Sequence, residues 1–438
     1  MPDQKIFCNV PWTNTHIYWD GSFGACCSEQ HRPYPIEQAS KYNIKNYTVA
    51  EWFNQTPLQE LRKQIHQTIP LSNCEKCYQE ETNNYESRRI KENFKSVIFT
   101  EQAFEKSYQQ SPGYEYFELS KLTGTAYKIP IDWHVDLGNE CNLACKMCHP
   151  GASSKIAAQY KSWKLTENII NNNWTKDEVS WNNFLTSIQQ TPNLNRLHFM
   201  GGEPLLNKKF HSLLDFLIVN NRNEISLSFV TNGTLFDQLL LDKLKKFKSY
   251  NIEVSLESIT SNNHYIRQGV STEVILNNIE LLLRNTSEQF QLVLRSVPQL
   301  LNVNNYNEYI EWAWAKKLSV QGIPLVEPKY LQICVLPKDI RSKLKLKYLK
   351  TLDLIQQQSK NSFATLAIGR DVSRLHVQLI RECKSIITML DSPEPHNVEE
   401  LRKELVQWLL RWDKEYNLNA LVEYPEYQEF LEQYGYQL

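Results

Sequence analysis

Six alternations of a short apolar run with a helical segment, between about residues 130 and 330, predict an α/β fold built on a parallel sheet. Two further observations frame it: eight of the ten cysteines lie in the first 148 residues, and everything after about 337 reads as helix. The strand-like runs are IDWHVDL (131–137), RLHFM (196–200), SLSFV (226–230), IEVSL (252–256), QLVLRSV (291–297) and SVQGIPLV (319–326). Between them lie amphipathic segments such as FHSLLDFLIV, LLLDKLKKF, VILNNIELLL and NEYIEWAWAKKL. Such a sheet is either open and wound or a partial barrel. In both, chemistry belongs at the C-terminal ends of the strands.

Ahead of this unit, residues 1–80 contain HIYWDGSFGACC, a hairpin pattern with Asp20-Gly21 expected as a two-residue type I′ turn. The amphipathic stretch TVAEWFNQTPLQELRKQIHQ follows, then the loop Cys74-Glu75-Lys76-Cys77. Residues 81–128 read as a helix and linker, with a loop-like SPGYEY, and the Asn-rich NIINNNW further on reads as a surface loop. The expected division is therefore 1–80, 81–128, 129–336 for the sheet unit, and 337–438 for the C-terminal helices, including KDIRSKLKLKYLKTLDLIQQQ and VEELRKELVQWLLRWDKEY.

The charge balance narrows the partners. The chain has 48 Lys plus Arg against 49 Asp plus Glu, a net charge of −1, which gives no electrostatic reason to expect nucleic acid or a membrane surface. No apolar run approaches the roughly 18 residues that would span a bilayer. The opening MPDQKIFCNVPW lacks the order of a signal peptide. A cytoplasmic protein is expected, and in a reducing cytosol clustered cysteines favour metal ligation over disulfides.

The first strand of the sheet unit ends in Asp136-Leu137-Gly138, and the loop after it carries Cys141, Cys145 and Cys148. Three thiolates at this spacing can hold three irons of a cubane cluster and leave the fourth iron open to a ligand. A zinc site would need a fourth donor, such as His149. Loop position, spacing and the segments Gly201-Gly202-Glu203-Pro204 and Thr231-Asn232-Gly233 after the next two strands together resemble the radical S-adenosylmethionine (SAM) superfamily.

That resemblance implies a partial (β/α)6 barrel, SAM bound at the open iron of a catalytic [4Fe–4S] cluster, and reductive cleavage to a 5′-deoxyadenosyl radical. By the same resemblance Gly201, Gly202 and Glu203 meet the SAM amino group, and Ser255 and Arg267 meet its carboxylate. Arg suits that role because its planar fork pairs a carboxylate bidentately. Thr231-Asn232-Gly233 is assigned turn geometry only. Family members often have an aromatic residue before the third cysteine; Met147 stands here, and its thioether can pack against adenine.

Cys8, Cys26, Cys74 and Cys77 resemble the ligand set of the twitch or SPASM auxiliary-cluster domains, which usually follow the barrel and here precede it. They imply a second, auxiliary [4Fe–4S] cluster, with a structural zinc site as the alternative. Neighbouring residues on a strand point to opposite faces, so Cys26 and Cys27 cannot both aim inward; the spacing from Cys8 favours Cys26. Cys334, just beyond the sixth strand, is a candidate hydrogen-atom donor, or else a small apolar residue. Cys383 and His134 are expected in the core.

Auxiliary-cluster relatives often epimerise, crosslink or oxidise ribosomal peptides, which implies a peptide substrate and an external one-electron donor such as flavodoxin or ferredoxin. Two alternatives remain at this level. One is dehydrogenation or rearrangement of a sugar or other small molecule. The other is a non-catalytic iron–sulfur carrier or scaffold.

Overall fold

The computed structural model describes residues 7–29, 31–67, 69–82, 87–93, 114–166, 173–361 and 372–437. Half of the expected 81–128 linker, including the start of SPGYEY, and the Asn-rich segment at 168–172 lie outside the described residues. All six expected strands form: β3 (Asp132–Asp136), β5 (Arg196–Met200), β6 (Ser226–Thr231), β7 (Tyr250–Ser255), β9 (Phe290–Ser296) and β10 (Ser319–Gly322). Each pairs in parallel with the next, as the strand–helix alternation requires.

Period-2 alternation explains which face does what. Trp133, Val135, Leu197, Phe199, Ile252 and Val254 are buried in the apolar core. Full burial of each such side chain stabilises the fold by about 1.5–3 kcal/mol. The alternate positions on the opposite face are polar yet buried, among them Asp132, His134, His198, Ser228 and Glu253. Partners satisfy them: Arg196 Nε donates to Asp132 (3.0 Å), Ser228 meets His198 Nδ1 (2.9 Å), and Arg295 pairs with Glu253. A wound sheet has apolar residues on both faces. This sheet has one greasy and one ionic face, as a partial barrel does, and the strand order leaves its two edges unpaired with each other.

The sheet has eight strands, in the order β10-β9-β7-β6-β5-β3-β1-β2. The two extra strands come from the N-terminal region: β1 (Asn14–Ile17) runs parallel to β3, with His16 opposite His134, and β2 (Phe23–Gly24) returns antiparallel to it. The turn between them corrects the expected two-residue type I′ form. Tyr18 N–H donates to Ser22 O (2.8 Å), so Trp19, Asp20 and Gly21 make a three-residue loop. Gly21 has positive φ (+80°), whereas Asp20 is not among the residues with positive φ, and a type I′ turn needs both. Asp20 instead caps the loop, accepting from Ser22 N–H at 3.0 Å.

The sixth strand stops at Gly322 rather than 326, because Pro324 has no N–H to give the ladder. The helices Lys338–Asn361 and Val398–Tyr416 form where their apolar periodicity puts them. Cys383 is fully buried on the helix Val372–Asp391, as expected. His134 is buried too, and burial beside Arg88, His198 and Arg196 holds its pKa well below the usual imidazole range. Among the described residues no helix is long and apolar enough to cross a membrane.

Candidate functional site

Four chain segments meet at the C-terminal ends of β3, β5, β6 and β7. The first is the cysteine loop. Its middle forms β4 (Ala144–Cys145), which pairs antiparallel with β8 (Arg267–Gln268), Cys145 standing opposite Arg267. Cys148 N–H donates to Cys145 O (2.9 Å), closing a turn that carries the second and third cysteines round together. All three thiols are free. Burial pushes the Cys141 thiol up to about 11 and that of Cys148 to about 12, and the neighbouring sulfurs push in the same direction. Three neighbouring thiols that resist ionising alone are a donor set whose penalty a bound metal would reverse.

Lys146, inside the same loop, packs on aromatic rings. Its ammonium donates to Tyr265 O (2.5 Å), lies 3.6 Å from the centroid of the Tyr265 ring and 5.2 Å from that of Trp412, and burial lowers its pKa to about 7.

The second segment is Gly201-Gly202-Glu203. Both glycines have positive φ, +75° and +59°. A Cβ on Gly202 would stand 2.3 Å from Glu140 O, so only glycine lets this turn press against the cysteine loop. Glu203 N–H then donates to that same oxygen (2.8 Å). The Glu203 side chain, 1% exposed, accepts from Leu205 N–H (3.1 Å), Thr231 Oγ1 (2.8 Å) and Asn232 N–H (2.7 Å).

The third segment, Thr231-Asn232-Gly233, thus does more than turn. It anchors Glu203, and Asn232 also donates to Asn142 of the cysteine loop (2.7 Å). Sequence reading missed this. The repetition of small hydrogen-bonding residues after two successive strands was the available signal.

The fourth segment supplies Ser255 and Arg267. Arg267 is buried, and its Nε (3.2 Å) and Nη2 (3.0 Å) both donate to Glu257 Oε1. Glu257, 0% exposed, is fixed through its other oxygen by Ser296 Oγ (3.1 Å), Val297 N–H (2.8 Å) and Asn302 (3.2 Å). One edge of the guanidinium is thereby occupied, and Nη1 is left pointing at Cys145 Sγ, 3.6 Å away. Glu257 carries no signal in the sequence, because its three fixing partners lie about forty residues downstream. Ser255 ends β7 and is buried, two positions before Glu257.

The N-terminal cysteines divide. Cys8, Cys26, Cys74 and Cys77 line one small cavity, with Arg89 at its wall. Cys27 lines another. That second cavity, of about 700 Å³, lies between the N-terminal hairpin and the barrel; Tyr18, Glu29 and Arg32 face Asp136, His149 and Gly201 across it. Among the described residues no three or more His, Cys, Asp or Glu converge as ligands to one metal ion. Cys334 stands apart from all these groups. Its sulfur contacts Gln332 (3.7 Å), and its charged neighbours are Arg341 and Glu394 of the C-terminal region.

Comparison with known proteins agrees with this geometry. The radical SAM superfamily model matches residues 135–297, and the SPASM iron–sulfur cluster-binding domain model matches residues 8–78. No curated protein matches the chain. Among solved structures, anSMEcpe with bound AdoMet and Cp18Cys peptide is 18% identical, with a TM-score of 0.37 over 52% of this chain and 60% of that one. Streptococcus suis SuiB bound to precursor peptide SuiA is 16% identical, with a TM-score of 0.38 over 69% of this chain and 64% of that one. The chain thus spans less than two thirds of the length of either. SAM and a [4Fe–4S] cluster are the cofactors of the first matched domain, and auxiliary iron–sulfur belongs to the second. The radical SAM match thus falls on residues 135–297 and the SPASM match on residues 8–78, so the SPASM-like region comes before the barrel rather than after it.

Proposed function

We propose that Cys141, Cys145 and Cys148 hold the catalytic cluster, and that the enzyme abstracts a hydrogen atom from a peptide bound in the cavity of about 700 Å³. When bound, the cluster supplies the electron that cleaves SAM reductively to a 5′-deoxyadenosyl radical. The protein's part is to bind, orient and exclude water. Gly201 and Gly202 bring backbone against the loop at a distance no other residue allows. Glu203 is an acceptor for the SAM ammonium, with three of its roughly four lone-pair sites already filled and its direction therefore fixed. Arg267, held along one edge by Glu257, keeps Nη1 beside Cys145 for the SAM carboxylate, with Ser255 next to it.

The observation that carries the peptide reading is the cavity wall. Tyr18, Trp19 and Tyr34 offer aromatic surface, while Glu29, Arg32 and Asp136 offer charges of both signs. Such a mixture suits a peptide, whose amides and side chains alternate in polarity. The modification is an epimerisation, crosslink or oxidation.

Cys8, Cys26, Cys74 and Cys77 hold the auxiliary cluster within 1–80, joined by the 81–128 linker to the barrel (129–336) and the C-terminal helices (337–438). The cytoplasm, with flavodoxin or ferredoxin as one-electron donor, is the setting this chemistry needs. The test is anaerobic reconstitution with iron, sulfide, SAM and dithionite. Formation of 5′-deoxyadenosine supports the reading, and a protein that binds zinc and forms none refutes it.

A further inference from the structure

A substrate filling the large cavity would close one approach to the cysteine loop, since His149 and Gly201 line that cavity. The electron that starts each turnover then has to arrive from another side, and one other side is built for contact. The helix Ser154–Ser162 begins on the cysteine loop. Ser154 Oγ accepts from Cys141 N–H (3.2 Å), Ser153 Oγ donates to Leu143 O (3.2 Å), and Lys155 Nζ donates to Asn142 O (3.1 Å). Burial raises the pKa of Tyr160 near the end of that helix, and the Cys148 sulfur adds to the rise, so ring and thiol are close neighbours.

From Tyr160 a cluster of rings reaches the surface. Tyr160 stacks on Trp408 of the helix Val398–Tyr416 with centroids 5.6 Å apart, and Trp163 lies 6.1 Å from Tyr160 and 6.0 Å from Trp408. All three rings are half-buried. Arg411 lies over both indoles, 5.4 Å from the Trp163 ring and 4.9 Å from that of Trp408. Trp, Tyr and Arg are the side chains that protein interfaces collect at their centres.

The charges around this centre have one prevailing sign. Residues 151–165 carry Lys155, Lys161 and Lys164, all exposed, and no acidic residue. Among the described residues Lys161, Lys164 and Arg411 make no ion pair. The acids nearby are Glu404 and Glu415, and the second already accepts from Trp163 Nε1 (3.1 Å). An aromatic centre under a net positive rim complements an acidic partner.

We infer that this face, centred on Trp163, Trp408 and Arg411, docks an acidic one-electron carrier protein that delivers its electron to the loop of Cys141, Cys145 and Cys148. The inference rests on the site reading above. In each turnover the carrier is oxidised by one electron. That electron enters at the cysteine loop and is consumed in breaking the C5′–S bond of SAM, which gives methionine and the 5′-deoxyadenosyl radical. The peptide and the carrier thus use separate faces, and neither has to leave for the other to bind.

The full-length protein, reconstituted anaerobically, tests this with flavodoxin as the carrier and dithionite, a small ion that needs no docking face, as the reference. Calorimetry first measures flavodoxin binding without turnover. In the triple variant Lys161→Glu, Lys164→Glu, Arg411→Gln the Kd rises about tenfold or more, and added salt narrows the gap from the parent. Formation of 5′-deoxyadenosine driven by NADPH, flavodoxin reductase and flavodoxin falls in step, while dithionite-driven formation and iron content stay at the parent's level. Lys316→Glu, at a lysine that pairs with Glu280, changes none of these. An unchanged Kd in the triple variant overturns the proposal and leaves the face to an acidic peptide. Parent binding that ignores salt, equal loss with both reductants, or a parent that turns over with dithionite but not with flavodoxin overturns it as well. No 5′-deoxyadenosine from the parent with dithionite overturns the site reading instead.

Discussion

The two cysteine sets are built in opposite ways. Cys141, Cys145 and Cys148 sit within a single loop, so local spacing alone makes them electrostatic neighbours. Cys8, Cys26, Cys74 and Cys77 come from three separated stretches and meet only because the hairpin and the helix Glu75–Thr82 fold over one cavity. The difference teaches where stability and chemistry are coupled. The barrel loop is braced from outside by Arg267, Gly202 and Asn232, groups that work whether or not metal is bound. The N-terminal set has four thiols in one cavity, where burial drives Cys74 up to about 12, and on the proposed reading a cluster bound there would itself contribute folding free energy.

The largest effect should separate the two sets outright. Replacing Cys141, Cys145 and Cys148 together by Ala removes about half of an expected eight irons and all SAM cleavage, measured by iron assay and 5′-deoxyadenosine yield. Cleavage surviving in that variant would break the comparison at its root. Next in size, Cys74→Ala with Cys77→Ala removes the other share of the iron and lowers the thermal midpoint, while 5′-deoxyadenosine still forms. Equal loss of cleavage would mean that the sets act as one unit.

Finer tests address the bracing. Arg267→Ala weakens SAM binding by about 1.5–3 kcal/mol by calorimetry with iron content intact, because a charge-assisted hydrogen bond is lost rather than a metal ligand. Glu257→Gln moves SAM affinity in the same direction by less, since a neutral amide still fills the site but no longer fixes the guanidinium by charge. Unchanged affinity in both would place the carboxylate partner elsewhere. The smallest change is Gly202→Ala. The added methyl meets Glu140 O in a left-handed backbone and costs about 1–3 kcal/mol, read as a lower thermal midpoint.

What the sequence revealed follows the same division. The barrel strands and the cysteine loop were legible because their signals are local: apolar runs, turn glycines and a fixed cysteine spacing. The alternation Asp132-Trp133-His134-Val135-Asp136 also held the two-faced character of the sheet, although apolar content alone left wound sheet and barrel undecided. Other features could not be read. The parallel pairing of β1 with β3 joins positions 118 residues apart, as in His16 opposite His134, and leaves no periodic trace in either segment. The Asp20-Gly21 turn was misassigned because Asp-Gly suits both the two-residue and the three-residue loop. Ser22, pairing back to Tyr18, decides between them, and that choice belongs to the ladder rather than to the dipeptide.

The brace beneath Lys146 ties the cysteine loop to the C-terminal region. Lys146 rests on Tyr265, whose hydroxyl donates to Asp413 (2.8 Å), and Tyr436 in turn donates to Asp413 (2.5 Å). The loop of Cys141, Cys145 and Cys148 thus stands on a floor laid by the helix Val398–Tyr416, far along the chain, and whatever loosens that helix loosens the frame around the three cysteines.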